Sequence, residues 1–522
     1  MENGFFTQMG LSSSAVPLSA VAAISSITYL FSRWSDNSGM SKIPSMDERF
    51  KFGFQLKANY LKLGKELLRE GYCKFPQDMF RLMTQFGPTV VVSRDLMGEV
   101  IKKPDDTIIF MELESDWLVE QDMEVEHTGF TSDDMVVETI RNDLTPNLGR
   151  IMPVLSTEVQ NALRAGLPSS KEWTPLNINE VLLRIVAIAS GSTFVGTDFC
   201  HKEEWIHLST QYTMDVIIAA EKLKILPAVL RSLAIELGWA PDLKRITEHR
   251  ENAKQYLRSI IQKRGQTMAS GDGSCEKPDD CLQWMSKKAE QHMHGYDDDA
   301  VAISQLSLSM DAIHSTTITT TQALLNLATH PSVLTPLRNE LTAAPALSPP
   351  ATQQPHQIDA ILRLSPVLLV IGKRVALQPI PLSNGTTLPA GTHIACPSGA
   401  VGTDPSMHAD PLSFRLDRFL KTSSGTAPPA DAAASTTTRN ALTASTKHSL
   451  HFGFGRHSCP GRFFAAMEIK LVFAFLVQGW DVALGEKGQA SRELRPAERE
   501  KGDSITSDSS ALLYVRRRVD AE

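Results

Sequence analysis

The order of apolar and polar positions divides this chain into an uncharged start, a long helical middle and a C-terminal third of mixed pattern. From Asn3 to Ser32 there is no charged side chain, and Ala15–Phe31 is mostly apolar. A membrane-crossing helix needs roughly 20 apolar residues, which Phe5–Phe31 can supply despite its serines. No basic segment precedes it and no small-residue cleavage site follows, so a removed signal peptide is not the reading. Residues 1–34 are therefore predicted to be an N-terminal membrane anchor, with 35–522 as the folded domain. Tyr29 and Trp34 mark the interface end, and Arg33 and Lys42 follow the apolar run, which places that domain in the cytoplasm.

Beyond a polar linker, Ser35–Asp47, the amphipathic run Phe54–Gly71 predicts a helix, and Phe80–Thr84 and Thr89–Ser93 predict two strands turned by Gly87-Pro88. From Ser132 to Met310 apolar residues recur at three- and four-residue spacings, so the middle is predicted to be mainly helical. Ala302–Thr329 reads as one helix stopped by His330-Pro331, because proline disfavours helix in the residue before it. The last third carries short strand patterns at Lys373–Leu377 and Thr392–Pro397, a turn at Ser383-Asn384-Gly385 and helical spacing over Phe463–Val477. Ala343–Gln357 is rich in Pro, Ala and Gln, and Thr422–Thr446 is an Ala/Ser/Thr tract, so both read as linkers or surface insertions. No internal repeat is present. The fold class is mainly α with a small β region.

Composition changes this picture only by exclusion. A hydrophobic fraction of 42% and a charged fraction of 21% are ordinary for a globular protein, and a net charge of -7 without a dense basic stripe excludes a nucleic-acid binder. Cys73, Cys200, Cys275, Cys281, Cys396 and Cys459 are widely spread, without the paired spacings of zinc or iron–sulfur sites or of a disulfide framework. One cysteine is therefore free to carry chemistry.

That cysteine stands in Phe452-Gly453-Phe454-Gly455-Arg456-His457-Ser458-Cys459-Pro460-Gly461-Arg462. An iron-ligating cysteine must be a held and shielded thiolate. Glycines at 453, 455 and 461 allow positive φ and a close backbone approach to a flat macrocycle, and backbone N–H groups in such a loop can stabilise the sulfur's charge. Pro460 fits the first turn of the following helix, whose start adds positive partial charge.

This segment resembles the haem-binding signature of the cytochrome P450 family, F-x-x-G-x-[RH]-x-C-x-G, with Phe452, Gly455, His457, Cys459 and Gly461 at its defined positions. The resemblance, which covers about residues 50 to 518, implies the cytochrome P450 fold and a haem b cofactor with Cys459 as iron ligand. It further implies that Phe452 packs beside the sulfur and that His457 reaches a haem propionate. Arg141, in Val137-Glu138-Thr139-Ile140-Arg141, matches the arginine of the family's W-x-x-x-R with valine for tryptophan, and Arg374 is a further candidate propionate partner.

In the long helix the family usually has [AG]-G-x-[DE]-T-[TS], where an acid and a hydroxyl relay protons; this chain has Asp311-Ala312-Ile313-His314-Ser315-Thr316-Thr317. Two registers are open: His314 at the acid position with Ser315 as hydroxyl, or Ser315 there with Thr316. The first is preferred, because A-I-H-[ST]-T-T resembles fungal members acting on terpenoids and related metabolites. Such a hydroxyl, bonded back to the preceding turn, is expected to bend the helix. The family's E-x-x-R is incomplete: Arg363 and Arg418 match its two arginines, but Ala360 stands at the glutamate position and Asp359 is the nearest carboxylate.

The resemblance implies a monooxygenase acting on an apolar small molecule with O2 and electrons from an NADPH–cytochrome P450 reductase, cytochrome b5 being a second candidate donor. It also implies location at the endoplasmic reticulum membrane. Ala360 opens an alternative: a haem-binding homologue with impaired turnover.

Overall fold

The computed structural model describes residues 40–46, 53–109, 134–224, 226, 228–269, 278–291, 297–343, 363–414, 442–490 and 492–519. The expected anchor, Asp359, Ala360 and Arg418 lie outside them, as does nearly all of both expected insertions. Among the described residues no helix is long and apolar enough to cross a membrane.

The amphipathic run after the linker forms α1 (Gly53–Lys74), followed by the hairpin β1 (Met79–Thr84) and β2 (Gly87–Val92). The turn falls on Gln85 and Phe86 and not on Gly87-Pro88, since Gly87 pairs with Thr84 and Pro88 with Met83. Gly87 leaves the turn at φ +111°, a conformation open to glycine. Pro88 costs no bond to the next strand, because the pairing of β2 with β8 (His393–Cys396) begins at Thr89. With β3 (Ile108–Ile109) and β5 (Ile371–Ala376) these strands form a sheet of order β1-β2-β8-β5-β3. Between Ile371 and Arg374 the register of β5 slips, with Gly372 at φ +65°. Alternation along the strand would turn Lys373 inward with Ile371; the bulge instead puts Arg374 and Ala376 on the buried side.

The helical middle includes α2 (Arg94–Val100), α3 (Asp134–Thr139), α4 (Leu148–Gly166), α5 (Ile178–Phe194), α6 (Glu203–Lys224), α7 (Asp242–Ala269), α8 (Cys281–Gln291) and α9 (Asp298–Thr329), with shorter helices at Thr197–Cys200 and Ala228–Glu236. It is interrupted by β4 (Thr174–Asn177), which pairs with β12 (Leu512–Arg517) beside β9 (Trp480–Ala483). Asp297 caps α9 by accepting from the Ala300 N–H at 2.9 Å, and Asp298 and Asp299 add favourable charge to its first turn. At 32 residues α9 is about 48 Å long at 1.5 Å per residue. It packs against α5, α6, α7 and α8, and against α10 (Arg462–Gly479) from the C-terminal third. Apolar residues of α4 to α10 make one large core, while two smaller clusters cover the five-stranded sheet. The Cys459 loop leads directly into α10 and so faces the middle of α9.

Candidate active site

The Cys459 loop is closed by its own backbone: the Cys459 N–H donates to the Phe452 carbonyl at 2.8 Å, and the Ser458 N–H to Gly455 at 3.1 Å. Gly453 and Gly455 adopt φ of +75° and +82°, and a Cβ on Gly455 would stand 2.9 Å from Ile101 Cδ1. Gly461 differs from expectation. It caps α10 at φ -80°, so positive φ is not its role, and because the helix begins at Arg462, Pro460 lies before the first turn. The ring of Phe452 packs against the helical core.

Cys459 is exposed on one side, yet the atoms packed around it desolvate the thiol and raise it to about 11, while hydrogen bonds from the Gly461 and Arg462 N–H groups and the Arg462 charge pull in the opposite direction. The N–H groups aimed at the sulfur are what a thiolate ligand needs, and metal binding must displace the thiol proton. The donor set fits a haem iron.

Cationic groups gather beside this loop from three elements. Arg374, 3% exposed, is turned inward by the β5 bulge and donates to the Lys373 carbonyl at 2.8 Å. His457 lies 3.4 Å from Asp105 Oδ1; burial and then the Arg374 charge lower its pKa, so Arg374 and His457 are neighbours. Arg141 lies on a π-helical turn, Ile140–Leu144, and donates to the Arg456 carbonyl at 3.1 Å. Such turns are frequent at functional sites. Two cations and an imidazole beside the Cys459 loop suit the carboxylates of a haem.

On α9 the candidate relay residues separate. His314 Nε2 stands 3.0 Å from the Thr210 carbonyl on α6, so that nitrogen carries a proton and ties the two helices. Burial lowers its pKa. The Ser315 hydroxyl donates to the Asp311 carbonyl at 2.8 Å on an exposed face of the helix, whereas Thr316 is 2% exposed and points into the core. The back-bond at Ser315 is present, yet α9 runs unbroken through it.

Asp311 was not singled out by the sequence motif. With His314 at the acid position, Asp311 stands where the family pattern has alanine or glycine, and that misfit was the available signal. Burial alone pushes its carboxyl up to about 8, and its negative charge raises the Cys459 thiol, so the two groups face each other. Arg363, 2% exposed, donates to the carbonyls of Gly402 at 2.9 Å, Pro411 and Ser413 at 3.3 Å. Its charge also helps hold His451, next to Phe452, at about 4, although burial is the larger cause. The guanidinium therefore ties together the backbone of Gly402, Pro411 and Ser413, within electrostatic reach of His451 at the start of the Cys459 loop.

A cysteine with its sulfur under two backbone N–H groups, flanked by cations and facing a long buried helix, defines a haem-thiolate protein. Residues 54–497 match the cytochrome P450 family, and the chain belongs to it. It is 31% identical to the cytochrome P450 monooxygenase braC of Annulohypoxylon truncatum, over 82% of this chain and 84% of that protein. Similarity to the monooxygenase BOA4 of Botryotinia fuckeliana is 30% over 87% and 89%, and to olcJ of Penicillium canescens 28% over 96% and 93%. The chain is thus an oxidoreductase of the monooxygenase class with a haem-thiolate cofactor, a redox partner and a small-molecule substrate.

Proposed function

We propose that this enzyme binds haem b through Cys459 and oxidises an apolar small molecule, a terpenoid or related fungal metabolite. Electrons come from an NADPH–cytochrome P450 reductase, with cytochrome b5 as a second donor. The observation that carries the reading is the pair of N–H groups, Gly461 and Arg462, directed at the Cys459 sulfur. Bound haem supplies oxygen activation, its thiolate favouring O–O cleavage. The chain's own residues orient and shield. Arg374, His457 and Arg141 hold the haem carboxylates, and Ser315 offers a hydroxyl on the exposed face of α9. The half-buried Ala312 and Ile318 give the same helix face an apolar surface.

A cleft of about 280 Å³ beside the loop is lined by Arg141, Arg456 and Arg462. Three guanidinium groups there favour an acidic electron donor, since complementary charge steers encounter. The uncharged run Asn3–Ser32 supports anchoring of residues 1–34 in the endoplasmic reticulum membrane, with the catalytic domain facing the cytoplasm. The fungal origin of the relatives, together with A-I-H-S-T-T, supports the substrate class. The reduced carbon monoxide complex of the full chain should absorb near ~450 nm, as thiolate ligation requires. Cys459→Ser should lose both that band and all oxygenation. Oxygenation retained in the variant would overturn the reading.

A further inference from the structure

Asp311 is a half-buried acid to which the proposed function gives no work. It lies near the middle of α9, one turn before Ser315 and on the same helix face, and its charge is felt at Cys459. Its Oδ1 is buried with no hydrogen-bond partner among the described residues. A buried polar atom without a partner is costly, and folded proteins keep few of them. The nearby polar groups do not relieve it: His314 is committed to Thr210, and the Ser315 hydroxyl donates to the Asp311 main chain rather than to its carboxyl. Burial is the sole cause of its altered pKa, so no cation among the described residues offsets it. The face of a porphyrin offers no hydrogen-bond donor either. What remains is a group brought in from outside to the partly exposed carboxyl on this face of α9.

Resting on the proposed monooxygenase function, we infer that Asp311 is a specificity-determining residue that takes a hydroxyl or carbonyl oxygen of an otherwise apolar substrate. Held by its oxygen, the substrate presents a fixed part of its skeleton to the haem. The chemistry of the carboxyl agrees with this choice. A carboxyl oxygen accepts from a hydroxyl, and a carboxyl that holds its proton also donates to a carbonyl. A site built to hydrogen-bond an oxygen rejects an analogue lacking it, because its own polar atom is then left unpaired.

The test uses the haem-loaded full chain and follows the Soret shift during titration with three matched probes: farnesol, farnesene and farnesylamine. The wild type should bind farnesol about tenfold more tightly than farnesene, the scale of one good hydrogen bond. Asp311→Leu should abolish that preference. Asp311→Asn, whose amide also donates and accepts, should keep most of it and covers the case in which the leucine variant misfolds. An equal preference in wild type and Asp311→Leu overturns the inference. So does tighter binding of farnesylamine than farnesol that is lost in Asp311→Asn, since the site would then be one for a cation. The ~450 nm carbon monoxide band, recorded on the same samples, reads the haem-thiolate assignment separately.

Discussion

Glu468 shows what a single buried group does to this protein. It is fully buried on α10, with Oε1 accepting from the Ser190 hydroxyl at 2.8 Å and Oε2 without a partner among the described residues. Burial raises its carboxyl from an ordinary 4.5 to about 8, with Ser190 pulling the other way. The folded chain thus holds this proton more tightly than the unfolded chain does. Its contribution to stability is complete below about 4.5 and is lost as the pH rises through about 8. Glu468→Gln should raise the melting temperature at pH 8 by more than at pH 5, flattening the profile, because the amide has no proton to lose over that range. Melts of the haem-loaded protein across that range check it, and an unchanged slope would show that the carboxyl ionises without cost. Residue by residue, legibility in the sequence followed chemistry that repeats. Cys459 and the glycines around it stand at fixed spacings. Asp311 and Glu468 are ordinary letters whose meaning comes from desolvation, which no spacing encodes.

At the scale of elements, α9 separates the two candidate hydroxyls. Ser315 is on the exposed face one turn beyond Asp311, and Thr316 faces the core. Ser315→Ala should therefore increase the hydrogen peroxide released per NADPH consumed by several-fold, whereas Thr316→Val should stay within about twofold of wild type, on the order of a general acid–base contribution being lost or kept. Oxidase assays of both variants decide the register; equal uncoupling would remove Ser315 from its special place. The helix itself was legible because its ends are marked, by Asp297 and by His330-Pro331. The hairpin was legible but its turn was misplaced by two residues, since Gly-Pro reads as a turn while Gly87 and Pro88 here begin a strand. The strand β4 was hidden: Thr174-Pro175-Leu176-Asn177 is short, contains proline, and is held only by its distant partner β12.

For the whole molecule, the uncharged N-terminal segment sets a question of location. Deleting residues 1–34 should release most of the protein from microsomal membranes into the supernatant. If the truncated form sediments as fully as the intact chain, attachment lies elsewhere. The overall architecture was legible from motifs more than from periodicity, because a helical middle with a small sheet fits many folds and the Cys459 loop fits few. Arg363 was legible as well, but the sequence did not reveal its acceptors: the carbonyls of Gly402, Pro411 and Ser413 are presented by irregular backbone. The slip in β5 has a wider consequence. Along a strand, inward and outward are decided by counting in twos, and Gly372 acts as a change of parity in that count. The residue that turns Arg374 inward thus has no side chain and no chemistry of its own. A substitution there that forbade the positive-φ slip would leave every functional group in the chain and still restore plain alternation, with Lys373 inward and Arg374 outward, so a survey of variants ranked by chemical character would pass over a position that decides which cation is buried.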